Sequence, residues 1–305
     1  MKEQKESLEA LGVECDVFYS NGKENGGAKE HIKSIGRLFK YLLKNKYDVI
    51  HCHHVISGLI LILSGGALFN KCILSYQNDP SREMGNFIFH FVYLFFNKII
   101  TKNKSKKYSR YKKVVYLPNG VNAAFFKPMD KTECRKQLNL ALDQIHILYM
   151  DSNKGTRTQK RKDRYEETLT ILKQQEHYEN INSVELTTTP RELIPLYMNA
   201  CDIHLLSSDF EGSPNSVKEC LCCNTPVVST DVGNVRDMIG DIEGCYVSQS
   251  FTAEELAKGV KYGLQYSQNN RFRGRELFLK KEYAIEIVAK KLSDLYKNIS
   301  SPHKN

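Results

Sequence analysis

Short β-branched runs alternate along the chain with longer stretches whose apolar residues recur at helical spacing. Residues 7–11 close a helix, and residues 13–19 alternate as a strand. Residues 30–44 form a helix with Ile32, Ile35, Leu38 and Leu42 on its apolar face. Residues 47–52 read as a strand, 55–69 as a buried helix interrupted at Gly65 and Gly66, and 71–76 as a strand. A helix over 87–96 and strands over Lys98–Thr101 and 114–117 complete this half. Pro118, Asn119 and Gly120 then break the chain and Pro128 follows, which places the domain boundary between residues 1–127 and 128–305.

The second half repeats the grammar. Ile145–Met150 is a strand, 165–174 a helix, 184–187 a short strand, 191–199 a helix and 202–206 a strand. A loop over 207–213 enters a helix over 214–223, strands follow at 226–229 and 245–247, and three helices close the chain. This alternation predicts an α/β fold of two doubly wound, Rossmann-like domains facing each other across a cleft. Ligands then sit beyond the carboxyl ends of the strands. The first half opens on a helix, so its usually central first strand and the Gly-rich loop after that strand are absent. A buried sheet without its middle strand leaves two rows of unpaired backbone groups. Either Met1 is an internal methionine of a longer product, or the chain is a fragment, or the half is a natural five-strand variant.

With 305 residues, 41% apolar and 26% charged, the chain is long enough for two cores, and global disorder is excluded. No apolar run is long enough to span a bilayer, and the opening residues resemble neither a signal peptide nor a lipidation site. Nine cysteines, odd in number and scattered through apolar stretches, fit a reduced cytoplasmic protein. Residues 1–140 carry 23 Lys and Arg against 12 Asp and Glu, whereas the remainder carries 21 against 23. Eight basic side chains and no acid lie between Lys98 and Lys113, just after a run with Phe87, Phe89, Phe91, Tyr93, Phe95 and Phe96. Such a pairing can seat a protein on an anionic membrane surface; the alternative is a buried helix followed by a solvated loop. No nucleic-acid-binding module is present, so nucleic acid is not an expected partner.

The chemistry concentrates between Asp209 and Glu219, in the string Asp-Phe-Glu-Gly-Ser-Pro-Asn-Ser-Val-Lys-Glu, which is followed by Asn224-Thr-Pro-Val-Val-Ser-Thr-Asp231. Glu211 falls in the loop at a strand's carboxyl end, Pro214 suits a helix's first turn, and Glu219 lies about one and a half turns inside. The amides of Gly212, Ser213, Asn215 and Ser216 then point into the cleft, where the helix dipole favours an anion. Two carboxylates so placed could grip two hydroxyl-bearing rings joined by a phosphate bridge.

The glutamates separated by seven residues resemble the E-x7-E motif of the retaining GT-B glycosyltransferases, family four in the usual sequence classification. The string from Leu117 to Asn122 with Phe126 to Pro128 resembles that family's interdomain linker, and the string from Ile194 to Asp202 its helix and strand before the donor loop. Ser213-Pro-Asn215 and the string from Asn224 to Gly233 are similar to members building bacterial cell-surface polysaccharides, teichuronic-acid-type enzymes among them. The resemblance implies that Glu211 contacts the donor sugar and Glu219 the ribose hydroxyls. It also implies an Arg and a Lys three residues apart gripping the diphosphate, which Arg157 and Lys160 match; Arg161, Lys162 and Arg164 crowd the same register. Fixed cations and helix amides stabilise a leaving nucleoside diphosphate, so no metal or other cofactor is expected.

His51 and His53 share one side of a strand, without the further ligands of a zinc site. Cys220, Cys222 and Cys223 read as packed thiols. Where the family often has a cleft histidine this chain has Gln77, which cannot act as a base, followed by Asn78 and Asp79; Gln77 and Asp79 are the acceptor-side candidates. The resemblance thus implies a cytoplasmic, peripherally membrane-associated enzyme. It would move a sugar, with retention, from a nucleotide-diphosphate donor such as a UDP-sugar to a lipid-linked saccharide. The alternatives are a truncated, non-catalytic nucleotide-sugar binder and a nucleotide-sugar epimerase.

Overall fold

The computed structural model describes residues 2–21, 27–151, 157–174, 178–267 and 272–301. The chain forms two compact units, Met1–Pro118 with Glu286–Asn305, and Asn119–Ile285. Sequence placed the division nine residues later and assigned the chain's last helix to the second domain; the structure returns that helix to the first unit.

In the first unit α1 (Lys2–Glu9) and α2 (Ala28–Lys44) precede β1 (Ile50–His53), α3 (Val55–Leu63), α4 (Gly66–Phe69) and β2 (Cys72–Ser75). After these come α5 (Pro80–Glu83), α6 (Gly85–Phe95), β3 (Lys98–Thr101) and β4 (Val114–Tyr116). The strands pair in parallel in the order β1-β2-β3-β4. Successive side chains of a strand point to opposite faces, and β2 shows the consequence. Leu74 packs with Val55, Leu61, Phe89 and Phe96 on one face, while Ile73 packs with Leu8, Ile100, Val288 and Leu292 on the other. Gly65, in the left-handed region at φ 76°, ends α3 and starts α4, as the glycine pair predicted. Asp79 caps α5 by accepting from the Ser81 amide, with Pro80 at the first helical position.

Two expectations fail here. Residues 13–19 form no strand, although they alternate. Their side chains are anchored, with Phe18 against the Tyr41 ring and Asp16 accepting from the Tyr47 hydroxyl, but no ladder partner lies beside their backbone among the described residues. Ile32, assigned to the apolar face of α2, is 67% exposed.

The second unit contains α7 (Lys131–Gln137), β5 (Ile145–Met150), α8 (Lys162–Gln174), β6 (Ile181–Leu186), α9 (Ile194–Ala200) and β7 (Ile203–Leu206). Next come α10 (Asn215–Cys222), β8 (Val227–Ser229), α11 (Val235–Ile239), β9 (Tyr246–Val247), α12 (Ala253–Ser267) and α13 (Gly274–Lys280). The last helix of the chain is α14 (Ile285–Ser300). The parallel order β6-β5-β7-β8-β9 puts β5 and β7 at the centre, over a core containing Ile147, Leu205, Val228, Leu256 and Val260. Arg135 and Lys131 both reach the Asp202 carboxylate, at 2.7 and 2.8 Å, tying α7 to the start of β7. All nine cysteines are free thiols, and every one except Cys15 is buried. Among the described residues no helix is long and apolar enough to cross a membrane.

Candidate functional site

The site lies in the second unit, at the carboxyl end of β7. All four residues of β7 are buried, and the chain leaves the strand through Ser207 and Ser208, which are buried as well. The loop turns at Glu211 and Gly212 and enters α10 behind Pro214. Pro214 is the residue preceding the helix, one place earlier than its spacing predicted. It supplies no side-chain cap to the first amides of α10. The loop is held from above by Asn234, whose amide donates to the Gly212 carbonyl at 3.2 Å. Gly233 makes that approach feasible: its φ is 58°, and a Cβ there would stand 2.3 Å from the Gly212 oxygen.

Facing this loop is the short 3₁₀ turn Thr158–Lys160. It is strapped on by the Ser207 hydroxyl, which donates to the Lys160 and Arg161 carbonyls, and by the Asp209 amide, which donates to Gln159. The turn carries Lys160 onto Glu211 at 2.6 Å, and the Ser208 hydroxyl donates to the same carboxylate oxygen at 2.8 Å. Two residues that sequence put in different tasks, diphosphate and sugar, are therefore an ion pair. Arg157, the other expected diphosphate cation, is half-exposed and stands 4.0 Å from Asp151, whose carboxylate also accepts from the Arg157 amide.

The crowd of cations after Lys160 sorts itself by partner. Buried Arg164 donates to the Ser207 carbonyl and pairs with Asp209 at 2.8 Å; Arg161 pairs with Asp209 and Asp163; Lys162 reaches Glu185. Burial pushes the Asp209 carboxyl up, but Arg164 and Arg161 outweigh it and hold the group below its ordinary value. Arg161 and Arg164 thus hold the loop through Asp209, Lys162 holds β6 through Glu185, and Arg157 and Lys160 face Asp151 and Glu211.

Glu219 is buried on α10, with Arg191 at 3.6 Å. Arg191 in turn lies over the Phe125 and Phe126 rings. Of the expected donor-contacting residues, Ser213 and Ser216 have their hydroxyls committed within the protein. Ser213 accepts from the fully buried Lys218, which also donates to the Asn119 carbonyl at 2.7 Å. Ser216 lies 3.0 Å from the Nε2 of His204. Burial pushes His204 down to about 4, so the ring is neutral near pH 7; its Nδ1 faces the Leu148 carbonyl.

The acceptor-side candidates belong to the first unit. The amides of Gln77 and Asn78 both donate to Glu83 Oε1, and Asp79 is occupied as the α5 cap. Glu83 escaped sequence reasoning. Its other oxygen stands 3.8 Å from His54 Nε2, at the carboxyl end of β1, and its side chain is buried. On the same strand the His51 and His53 rings stack at 4.2 Å. Burial lowers both, His53 to about 4, and lowers the neighbouring Lys102 to about 8. Among the described residues no cluster of His, Cys, Asp and Glu could hold a metal ion. The thiols of Cys220, Cys222 and Cys223 are packed, as their positions on α10 suggested.

This is a GT-B architecture: two Rossmann-like parallel-sheet units, the second with its candidate site at a strand end and helix start. Residues 164–273, which contain both glutamates, match the family described as Glycosyl transferases group 1. Among curated proteins, the putative teichuronic acid biosynthesis glycosyltransferase TuaC of Bacillus subtilis is 27% identical over 175 residues, which is 52% of this chain and 43% of that protein. The match therefore spans less than half of that relative. Sucrose-phosphate synthase from Thermosynechococcus elongatus superposes with a TM-score of 0.77 at 15% identity, over 98% of this chain and 92% of that one. Anabaena HepE in complex with UDP and glucose gives 0.67 at 13% identity, over 92% and 83%. A glycosyltransferase from Rickettsia africae gives 0.66 at 14%, over 98% and 93%.

Proposed function

We propose that the chain is a retaining glycosyltransferase that moves a sugar from a nucleotide-diphosphate donor, a UDP-sugar foremost, to a lipid-linked saccharide in cell-surface polysaccharide synthesis. The observation that carries this reading is the contact of Lys160 with Glu211 beside the uncapped start of α10, with Glu219 buried one turn further on. Donor binding draws Lys160 from Glu211 onto the diphosphate, and Glu211 is then free to accept from sugar hydroxyls. Glu219, oriented by Arg191, accepts from the ribose hydroxyls.

As the bond from the anomeric carbon to the phosphate oxygen breaks, negative charge grows on the leaving diphosphate. Arg157, Lys160 and the α10 amides stabilise it, the role a metal ion plays in other transferases, and the mechanism uses no cation cofactor. The acceptor hydroxyl oxygen bonds the same face of the carbon, and its proton passes to the departing phosphate oxygen. Gln77 in place of a histidine is compatible with this route, because no side chain has to act as base; Gln77 and Asp79 are then contacts for the acceptor. TuaC, named for teichuronic acid biosynthesis, and HepE, solved with UDP and with UDP-glucose, support the substrate classes.

A lipid-linked acceptor calls for a membrane surface, at the inner face of the plasma membrane in this reading. α6 exposes Phe87 and Leu94, at 82% and 73%, while Lys107 and Lys113 lean on the same helix through Asn86 and the Tyr93 carbonyl. That is an apolar wedge beside cations, suited to anionic lipid. The reading is tested by a nucleotide-sugar panel assayed for transfer and donor hydrolysis with Glu211→Ala and Glu219→Ala, each checked for intact secondary structure. Loss of turnover in both supports it, and full turnover in both overturns it. A second reading, a nucleotide-sugar binder without transfer, is favoured by the edge of β1, beside which no strand lies among the described residues; donor binding by calorimetry with no product on any acceptor would select it.

A further inference from the structure

Lys218 and Glu219 are neighbours on α10, and both are buried. Consecutive positions of a helix stand about 100° apart, so the two side chains leave it in different directions. Glu219 has Arg191 at 3.6 Å. Lys218, with no exposed surface, donates to the Asn119 carbonyl at 2.7 Å and to the Ser213 hydroxyl at 3.0 Å. Helical side chains tilt toward the helix start, which is how the fourth residue of α10 reaches a serine two places ahead of the helix. Burying an amine is costly unless its N–H groups are bonded. Here two of those bonds go to the loop that carries Glu211 and to a backbone carbonyl far from it in sequence.

The Asn119 end of this grip is an anchor. Asn119 opens the second unit, and Val121, two residues on, forms a parallel bridge with Ala284. The Val121 amide donates to the Tyr283 carbonyl and its carbonyl accepts from the Ile285 amide, both at 3.0 Å. The Ser213 end belongs to the loop. The preceding Gly212 carbonyl accepts from the Asn234 amide at 3.2 Å, and the peptide joining Gly212 to Ser213 is trans, so the Ser213 N–H points away from Asn234. Asn234 thus fixes one side of this peptide, and Lys218 fixes the residue on its other side.

We propose that Lys218 is a positioning residue for the diphosphate of the nucleotide donor: it holds Ser213 so that its N–H and the start of α10 stay aimed at the phosphate oxygens, without touching the ligand itself. This inference rests on the donor reading of the same site. Backbone N–H groups and a helix start favour an anion most when they are fixed before it arrives, because no reorganisation then has to accompany binding. Without the lysine, Ser213 keeps its place in the chain but loses its tie to the Asn119 anchor. The loss falls on the phosphates and spares the nucleoside, which lacks them.

Lys218→Met keeps the length and apolar stem of the side chain and removes its N–H groups. Binding of UDP and of uridine to the full chain is read by calorimetry and by ligand-observed NMR. The variant is expected to weaken UDP about tenfold or more and uridine by less than about twofold. An equal loss of both ligands, as a general loosening of the fold would give, overturns the proposal, and so does unchanged UDP binding. Should Lys218→Met fail to fold, Ser213→Ala, which leaves the lysine on Asn119, is read with the same two ligands. A loss confined to UDP then supports the proposal, and an equal loss or none overturns it. UDP that fails to bind the unaltered chain overturns the donor reading and this inference with it, whereas UDP bound equally well by chain and variant overturns this inference alone.

Discussion

The two units run the same strand–helix grammar and close it differently. In the second, β7 is flanked by β5 and β8, so the strand that leads into the Glu211 loop is paired on both edges. In the first, β1 pairs with β2 alone among the described residues and borders a cavity. A central strand rigidifies what hangs from its carboxyl end. The loop bearing Glu211 is accordingly fixed by hydrogen bonds from Ser207, Ser208, Asp209 and Asn234, whereas residues 13–20 pair with no strand among the described residues.

The comparison is sharpest in packing. Leu205 lies at the centre of the second sheet, and Leu205→Ala is expected to cost about 3–5 kcal/mol of stability. Leu61 is equally buried but lines the cavity, so Leu61→Ala is expected to cost only about 2–3 kcal/mol, both read by denaturant melts of the single variants. Equal losses would mean that the first unit packs as tightly as the second.

Next in size is the chemistry confined to the second unit. Lys160→Ala is expected to lower transfer about 10²–10³-fold, by removing charge stabilisation that acts as the leaving group departs. Arg161→Ala, whose cation is spent on Asp209 and Asp163, should lower it far less, and initial-rate assays on both variants check the distinction.

Acid acts on both units through buried histidines, His146 among them in the second. His204 in the second unit and His51 and His53 in the first are held neutral by burial, with folded values below the ordinary value of about 6.5. The unfolded chain therefore takes up protons that the folded one refuses. Stability is full above pH 6.5 and declines as pH falls toward about 4, the value to which burial lowers His53 and His204. A pH series followed by calorimetry reads this loss of stability. His53→Gln should flatten its share.

The smallest effect concerns the surface charge of the first unit. Neutralising Lys104, Lys106 or Lys107 is expected to weaken binding to anionic vesicles by about 1 kcal/mol per lysine and to lower its salt dependence. Vesicle sedimentation measures it; unchanged sedimentation of the triple variant would remove the membrane surface from the proposed function and leave the site in the second unit untouched.

Periodicity and punctuation were enough to read most strands, the Gly65 break and the helix carrying Glu219, because these depend on local backbone preference and on which side chains shun water. The order of residues also marked Glu211, Glu219, Arg157 and Lys160. It did not separate Arg157 and Lys160 from Arg161 and Arg164, since a cation's role depends on whether an acid such as Asp209 faces it across the fold. Nor did it show Glu83 beneath the Gln77 and Asn78 amides, a contact made by the turn into α5. The alternating pattern of residues 13–19 was legible, yet a strand exists only where another backbone stands beside it. Side-chain pattern is a property of the sequence; pairing, burial and charge partners belong to the tertiary structure, because they are set by which distant segments come within hydrogen-bonding reach.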